Sequence, residues 1–117
     1  MRILIIDDEA KARNLLRHII VDAFGEAHPI EEAANLMEGL TAIKQNPPAL
    51  VFLDIEMPQH SGISIFDHFE KGSIDFEIVF TTAYSEYALK AFELNAIDYI
   101  LKPIRPKRIR EVILRVE

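Results

Sequence analysis

Five polar residues stand where strand-like runs stop. Ala49-Leu50-Val51-Phe52-Leu53 leads without a break into Asp54, and Ile3-Leu4-Ile5-Ile6 gives way to Asp7 and Asp8. The run from Phe76 ends at Thr82, and the run from Ile97 to Leu101 ends at Lys102. In open α/β sheets, ligands gather at the C-terminal ends of the strands. Three carboxylates converging there repel one another, or rise in pKa, unless a cation compensates them. Oxygen ligands with no cysteine and no histidine cluster suit a hard divalent ion, Mg²⁺ above all. A hydroxyl and an ammonium facing a metal-bound carboxylate suit a tetrahedral dianion. One unit-charge pair at 4 Å is worth roughly 4 kcal/mol at an effective dielectric of 20, so the lysine matters most once a phosphoryl group is present. A carboxylate beside Mg²⁺ can attack phosphorus and form an acyl phosphate, so the chemistry these residues suit is phosphoryl transfer onto Asp54. Taken singly, each has an ordinary role. Asp8 suits a helix cap, Asp7 a solvated neighbour, Asp54 a loop cap, Thr82 a strand and Lys102 a surface. Their convergence carries the reading.

The convergence depends on the elements that hold them. Met1 to Ile6 reads as a buried strand, and Asp7-Asp8-Glu9 opens a helix with Ala12, Leu15, Leu16, Ile19, Ile20 and Ala23 on one stripe, ended by Gly25. His28 to Ala33 is a second strand whose two glutamates suggest a sheet edge. Asn35 caps a second helix carrying Leu36, Leu40 and Ile43, stopped by Asn46-Pro47-Pro48. The unbroken run before Asp54 suits a third strand buried on both faces. Met57-Pro58 breaks it, and Gln59 to Gly62 is a turn before a short third helix with Ile63, Ile65, Phe66 and Phe69. Lys71-Gly72-Ser73 is a loop, and Phe76 to Thr82 is a fourth strand rich in β-branched and aromatic residues. Ser85 to Leu94 is a fourth helix with Ala88, Ala91 and Phe92 inward, and Asn95 ends it in a left-handed conformation. Ile97 to Leu101 is a fifth strand, and Ile109, Val112, Ile113 and Val116 define a final helix. Five β–α units with right-handed crossovers give a doubly wound, flavodoxin-like α/β fold: a five-stranded parallel sheet in the order 2-1-3-4-5 with five helices. Strands one and three are then neighbours at the switch point, where Asp7 and Asp8 meet Asp54.

Composition narrows the function classes. The 117 residues make one domain with room for a core, and half of them are hydrophobic. With no cysteine there is no disulfide framework and no thiolate metal site. Asp7 and Asp8 interrupt the first apolar run too early for a signal peptide or a membrane span, so an intracellular, cytoplasmic protein with no membrane partner is expected. The net charge of −6 argues against nucleic-acid binding by the whole domain. Only the last stretch, with Lys102, Arg105, Lys107, Arg108, Arg110 and Arg115, is locally basic, which reads as a solvated helix face. His18, His28, His60 and His68 lack metal-ligand spacing and read as surface or loop residues; His18 alone flanks an apolar stripe.

Ile3 to Glu9, Leu53-Asp54-Ile55-Glu56-Met57-Pro58 with Gly62, Thr82-Ala83, and Tyr99-Ile100-Leu101-Lys102-Pro103 span nearly the whole chain. Together they resemble the receiver domain of a bacterial two-component response regulator, with its CheY-like fold. The resemblance implies a phosphoacceptor at Asp54, with Thr82 and Lys102 holding the phosphoryl oxygens. It also implies Mg²⁺ on Asp8 and Asp54, with Asp7 helping through water and Glu56 giving its backbone carbonyl. Thr82 and Tyr99 would be the switch pair that remodels the surface of the fourth helix, fifth strand and fifth helix, and Lys102-Pro103 would be cis. Phe80 to Glu93 followed by Asn95 to Tyr99 resembles the subgroup whose receivers precede a LytTR-type (LytR/AlgR-like) DNA-binding domain. Residues 1–117 would then be the receiver, with the output domain absent and DNA reached only through it. Asn95 replaces a common glycine, and Ile104 a common aromatic residue.

The same resemblance implies a sensor histidine kinase docking on the first helix and the loops around the acidic crevice. Tyr84, Tyr87, Leu89 and Lys90 suggest a homodimer face. The resemblance also implies that Glu56 and Tyr84, two residues past Asp54 and Thr82, border the path of attacking water, and a bulky Tyr84 is expected to shield the phosphoryl group. By the same resemblance, the domain would be no enzyme beyond self-phosphorylation and autodephosphorylation. Three other readings compete. A flavin-binding module needs a small, hydroxyl- or glycine-rich loop where this chain has Asp7-Asp8-Glu9. An aspartate-nucleophile phosphatase wants an acid two residues on in a context that Met57-Pro58 does not match. A degenerate receiver used only for protein interaction or dimerisation would not need all five site residues.

Overall fold

The computed structural model describes residues 1–70 and 72–117. Its centre is one parallel sheet of β1 (Ile3–Ile6), β2 (Ile30–Ala33), β3 (Leu50–Asp54), β4 (Glu77–Thr82) and β5 (Asp98–Leu101), in the order β2-β1-β3-β4-β5. Successive side chains of a strand point to opposite faces, so an apolar run buries both. On one face Ile5, Phe52 and Val79 stand in register, and on the other Ile6, Leu53 and Phe80. The first face is covered by α1 (Ala10–Phe24) through Leu16, Ile19 and Ile20, and by α4 (Pro106–Val116) through Ile109, Val112 and Ile113. The second is covered by α2 (Leu36–Gln45) through Leu36, Leu40 and Ile43, by Ile65 of a 3₁₀ helix (Gly62–His68), and by Ala91 of α3 (Ala88–Glu93). The helices thus lie on both faces, and the connections after β1 and β3 leave in opposite directions between neighbouring strands, as the sequence pattern predicts.

Local chemistry sets the ends of the elements. Asn35 caps α2 by accepting from the Glu38 backbone N–H at 2.9 Å, while Glu38 reaches back to Ala34 N–H at 3.3 Å, a reciprocal pair at the helix start. Gly25 closes α1 with its N–H on the Val21 carbonyl at 2.7 Å. Asn95 has φ +61°, and the following Ala96 N–H returns to the Ala91 carbonyl, the left-handed ending expected for it. Of the expected loop Lys71-Gly72-Ser73, Lys71 lies outside the described residues; Gly72 has φ +84°.

The helices differ in detail from the pattern. The third helical segment is 3₁₀ rather than α, with Ser61 accepting from Ile63 N–H and Ser64 donating to the Ser61 carbonyl, local bonds that compete with an α-helical start. The fourth begins as a 3₁₀ turn (Ser85–Tyr87) before α3. Its inward face is Tyr87, Ala91 and Leu94, spaced at i, i+4, i+7, which turns Ala88 outward and leaves Phe92 80% exposed, contrary to the expected face. Leu15 and Ala23 of α1 are exposed as well. His28 is buried rather than on the surface: it meets the Met1 amino group at 3.0 Å, Glu117 at 2.8 Å and the edge of Phe24. His18, beside the α1 stripe, is exposed.

Candidate functional site

β1 ends at Ile6, so Asp7 is the first residue free of the strand, and its backbone N–H still bonds the Ala33 carbonyl of β2 at 3.1 Å. Its Oδ1 accepts from Glu9 N–H at 2.9 Å, which folds the turn before α1. From α1, Arg13 donates to the Asp7 carbonyl at 2.7 Å and pairs with Glu32 of β2 at 3.2 Å, tying that turn to the sheet edge. Asp54 closes β3 and is only 2% exposed. Gly62 returns to it: its N–H bonds the Ile55 carbonyl at 2.9 Å, and a Cβ there would penetrate the Asp54 carbonyl oxygen. Lys102 directly follows β5 and is joined to Pro103 by a cis bond, with its own N–H on the Thr82 carbonyl at 2.7 Å.

The neighbouring ends of β1 and β3 bring Asp7 and Asp54 together, and the long Lys102 side chain reaches them from the end of β5, past β4. The ammonium sits between the carboxylates, 3.1 Å from Asp7 Oδ2 and 3.3 Å from Asp54 Oδ1. One cation shared by two buried anions leaves a deficit. Burial, followed by the Asp7 charge, pushes the Asp54 carboxyl up to about 7 despite the lowering by Lys102. Burial alone would lower Lys102, but Asp54 and Asp7 outweigh it and hold the ammonium above the usual lysine range. Asp7, Asp8 and Glu9 form a second grouping, with carboxylate oxygens within 4.8 Å of one another. This donor set is all oxygen and undercompensated, so it fits a hard divalent cation.

Thr82 lies in the same wall but faces elsewhere. Its hydroxyl is 2.7 Å from both carboxylate oxygens of Glu56 and accepts from Tyr84 N–H at 3.0 Å. The Tyr99 hydroxyl donates to the Tyr84 carbonyl, and its own pKa is raised by burial and by the Glu56 and Glu86 charges. Of the expected site residues, Asp7, Asp54 and Lys102 are thus in direct contact, Asp8 joins through the acidic turn, and Thr82 and Tyr99 belong to a neighbouring network. Sequence reading missed Glu9 as a member of the acidic cluster and the Glu56 side chain as the partner of Thr82. The second had a signal, since Asp54 pairs with Thr81 in register and so brings residues just past β3 beside the end of β4.

The profile of the response regulator receiver domain matches residues 3–114. Among similar proteins, an uncharacterized response regulatory protein of Vibrio cholerae is 44% identical over 97% of this chain and 47% of its own. Sensory transduction protein LytR of Staphylococcus epidermidis is 43% identical over 100% of this chain and 46% of its own. The chain spans about half the length of the curated relatives it matches. Among solved structures, the receiver domain of NtrX from Brucella abortus superimposes with a TM-score of 0.85 at 31% identity, covering 97% of this chain and 96% of that one.

Proposed function

The chain belongs to the response regulator receiver domain family, and from that premise we propose that Asp54 accepts a phosphoryl group from a sensor histidine kinase. The observation that carries this reading is the Lys102 ammonium held between Asp54 and Asp7 at the C-terminal ends of β1, β3 and β5. An Asp54 carboxylate oxygen attacks phosphorus in line; the O–P bond forms as the P–N bond of a phosphohistidine breaks and the imidazole leaves. Lys102 is already poised beside that oxygen, where it balances charge gathering on the phosphoryl group. Asp7, Asp8, Asp54 and the Glu56 backbone carbonyl are the oxygens that would hold Mg²⁺. When bound, the ion supplies charge neutralisation and in-line alignment. Thr82 would hold a phosphoryl oxygen, and Thr82 with Tyr99 would form the switch. The domain works as a signalling acceptor, turning over only its own phosphoryl group.

The whole protein is read from its relatives. Residues 1–117 form the receiver, and a LytTR-type DNA-binding output domain outside this chain controls transcription, by likeness to LytR. The protein works in the cytoplasm, DNA is reached only through the output domain, and no described helix is long and apolar enough to cross a membrane. A homodimer uses the face of α3, β5 and α4, where Tyr84, Leu89, Phe92 and Leu101 are exposed. Intact-mass spectrometry after incubation with Mg²⁺ and acetyl phosphate tests the acceptor. One phosphoryl adduct is expected in wild type and none in Asp54→Asn or without Mg²⁺. A folded wild type that stays unmodified even with its kinase would leave only an interaction module.

A further inference from the structure

The Thr82 hydroxyl is the donor that a phosphoryl group on Asp54 needs, and here it is engaged elsewhere. It lies 2.7 Å from each Glu56 carboxylate oxygen, and the Ala83 N–H approaches Glu56 Oε1 at 3.4 Å. The same hydroxyl accepts from Tyr84 N–H, and the carbonyl of Tyr84 accepts from the Tyr99 hydroxyl. One chain of hydrogen bonds therefore runs from Glu56, two residues past Asp54, through Thr82 and Tyr84 to Tyr99.

A hydroxyl has a single proton to donate. While Thr82 gives it to Glu56, it cannot give it to an anion on Asp54. Resting on the phosphoacceptor reading, we propose that the Glu56 side chain is a positioning residue that holds Thr82, and through Tyr84 also Tyr99, in the arrangement of the unmodified chain. Acceptance of a phosphoryl group then requires Thr82 to exchange Glu56 for a phosphoryl oxygen. Burial makes this an exchange between two protein-held acceptors, because Thr82 is 0% exposed and its hydroxyl has no bulk water to fall back on. Charge drives the exchange from both sides. Burial and Asp7 supply most of the upward push on Asp54 and Glu56 adds to it, so a dianion mounted on Asp54 repels Glu56 in return. The hydroxyl meanwhile gains an acceptor of higher charge. Glu56 thus opposes modification of its neighbour and keeps the Tyr99 end of the chain in its unmodified place.

The test titrates beryllofluoride in Mg²⁺, an anion that mounts on an aspartate carboxylate like a phosphoryl group, into ¹⁵N-labelled protein. Amide signals of Ala83, Tyr84 and Tyr99 report the midpoint in wild type, Glu56→Gln and Glu56→Ala, each with Thr82 and with Thr82→Val. With Thr82 present, Glu56→Ala is expected to lower the midpoint roughly three- to tenfold, and Glu56→Gln, whose amide oxygen still accepts, by less. In the Thr82→Val background the same changes should move the midpoint by clearly less, because the path through the hydroxyl is gone and only the repulsion between Glu56 and the mounted anion remains. Equal midpoints across the Glu56 series overturn the proposal. So does a shift that is undiminished in Thr82→Val, which assigns the effect to charge alone. A wild type that does not respond to beryllofluoride defeats the phosphoacceptor reading and this inference with it, a failure visible before any variant is compared. Should Glu56→Ala fail to fold, the nearly isosteric Glu56→Gln carries the same comparison.

Discussion

Lys102 carries one positive charge against two buried carboxylates, and the imbalance has a direction in pH. Burial and Asp7 raise Asp54 from 3.8 to about 7 in the folded chain. Below about pH 4 the folded and unfolded states both hold the proton, and the group costs nothing. As pH rises toward 7 the unfolded chain releases it first, so ionisation favours unfolding. Asp54→Asn should therefore be more stable than wild type by about 1–3 kcal/mol at pH 8, with the difference gone near pH 4. Thermal melts followed by circular dichroism check this, and Mg²⁺ at pH 8 should raise the wild-type midpoint more than that of the mutant. Asp54, Asp7 and Lys102 were legible because each ends an apolar run: the ends of neighbouring β1 and β3 must meet, and a lysine at the same edge of the sheet is long enough to reach them from β5. The burial of His28 was not legible: its carboxylate partner, Glu117, lies 89 residues away and no local period announces the contact. The Glu56–Thr82 bond was hidden for another reason, since spacing places two residues side by side but does not say which oxygen a hydroxyl chooses.

α3 and α4 flank the same strand and are held to it differently. α3 rests on β5 by a narrow line of Tyr87 and Ala91, and Phe92 stands outside it. Phe92→Ser should change stability by no more than about 0.5 kcal/mol, measured by urea unfolding of the dilute monomer. A large loss would mean that Phe92 is covered in solution. α4 is bound to β5 by charge as well as by its apolar stripe: Arg108 meets Asp98 at 2.5 Å, and Arg115 contacts the other carboxylate oxygen. Burial would raise Asp98, but the bonds from Arg108, the Tyr99 N–H and Arg115 win and hold it below the usual 3.8. A depressed carboxylate stabilises the fold above its unfolded pKa and loses that contribution as pH falls through the folded one. Wild type should thus exceed Asp98→Asn by about 1 kcal/mol at pH 7, less in high salt because both arginines are partly exposed, and by little below pH 3. The α4 stripe was read in full from Ile109, Val112, Ile113 and Val116, because an unbroken helix keeps its period. The inward face of α3 was misread because a 3₁₀ turn precedes it, and a turn with three residues per cycle resets the phase from which the α period is counted.

In the whole molecule, two cores share one sheet. Phe52 packs on the side of α1 and α4, and Phe80 on the side of α2 and α3, and both are buried. Because the same strands carry both, neither core can melt alone. Phe52→Ala and Phe80→Ala should each cost about 3–5 kcal/mol, and each should unfold in one transition that coincides by fluorescence and far-ultraviolet circular dichroism. Separate transitions would show the two sides to be independent. Strand order was legible at this scale because β–α alternation and crossover handedness leave few topologies, so a pattern of five apolar runs nearly determines the sheet. One small feature has reach beyond the fold. Gly62 has an ordinary backbone, yet no room for a side chain against the Asp54 carbonyl. Gly25 and Gly72 have open space but left-handed φ. In a library of all single substitutions, Gly62 would be as intolerant as the acceptor carboxylate while holding no reactive atom, and selection alone would mistake steric exclusion for catalysis.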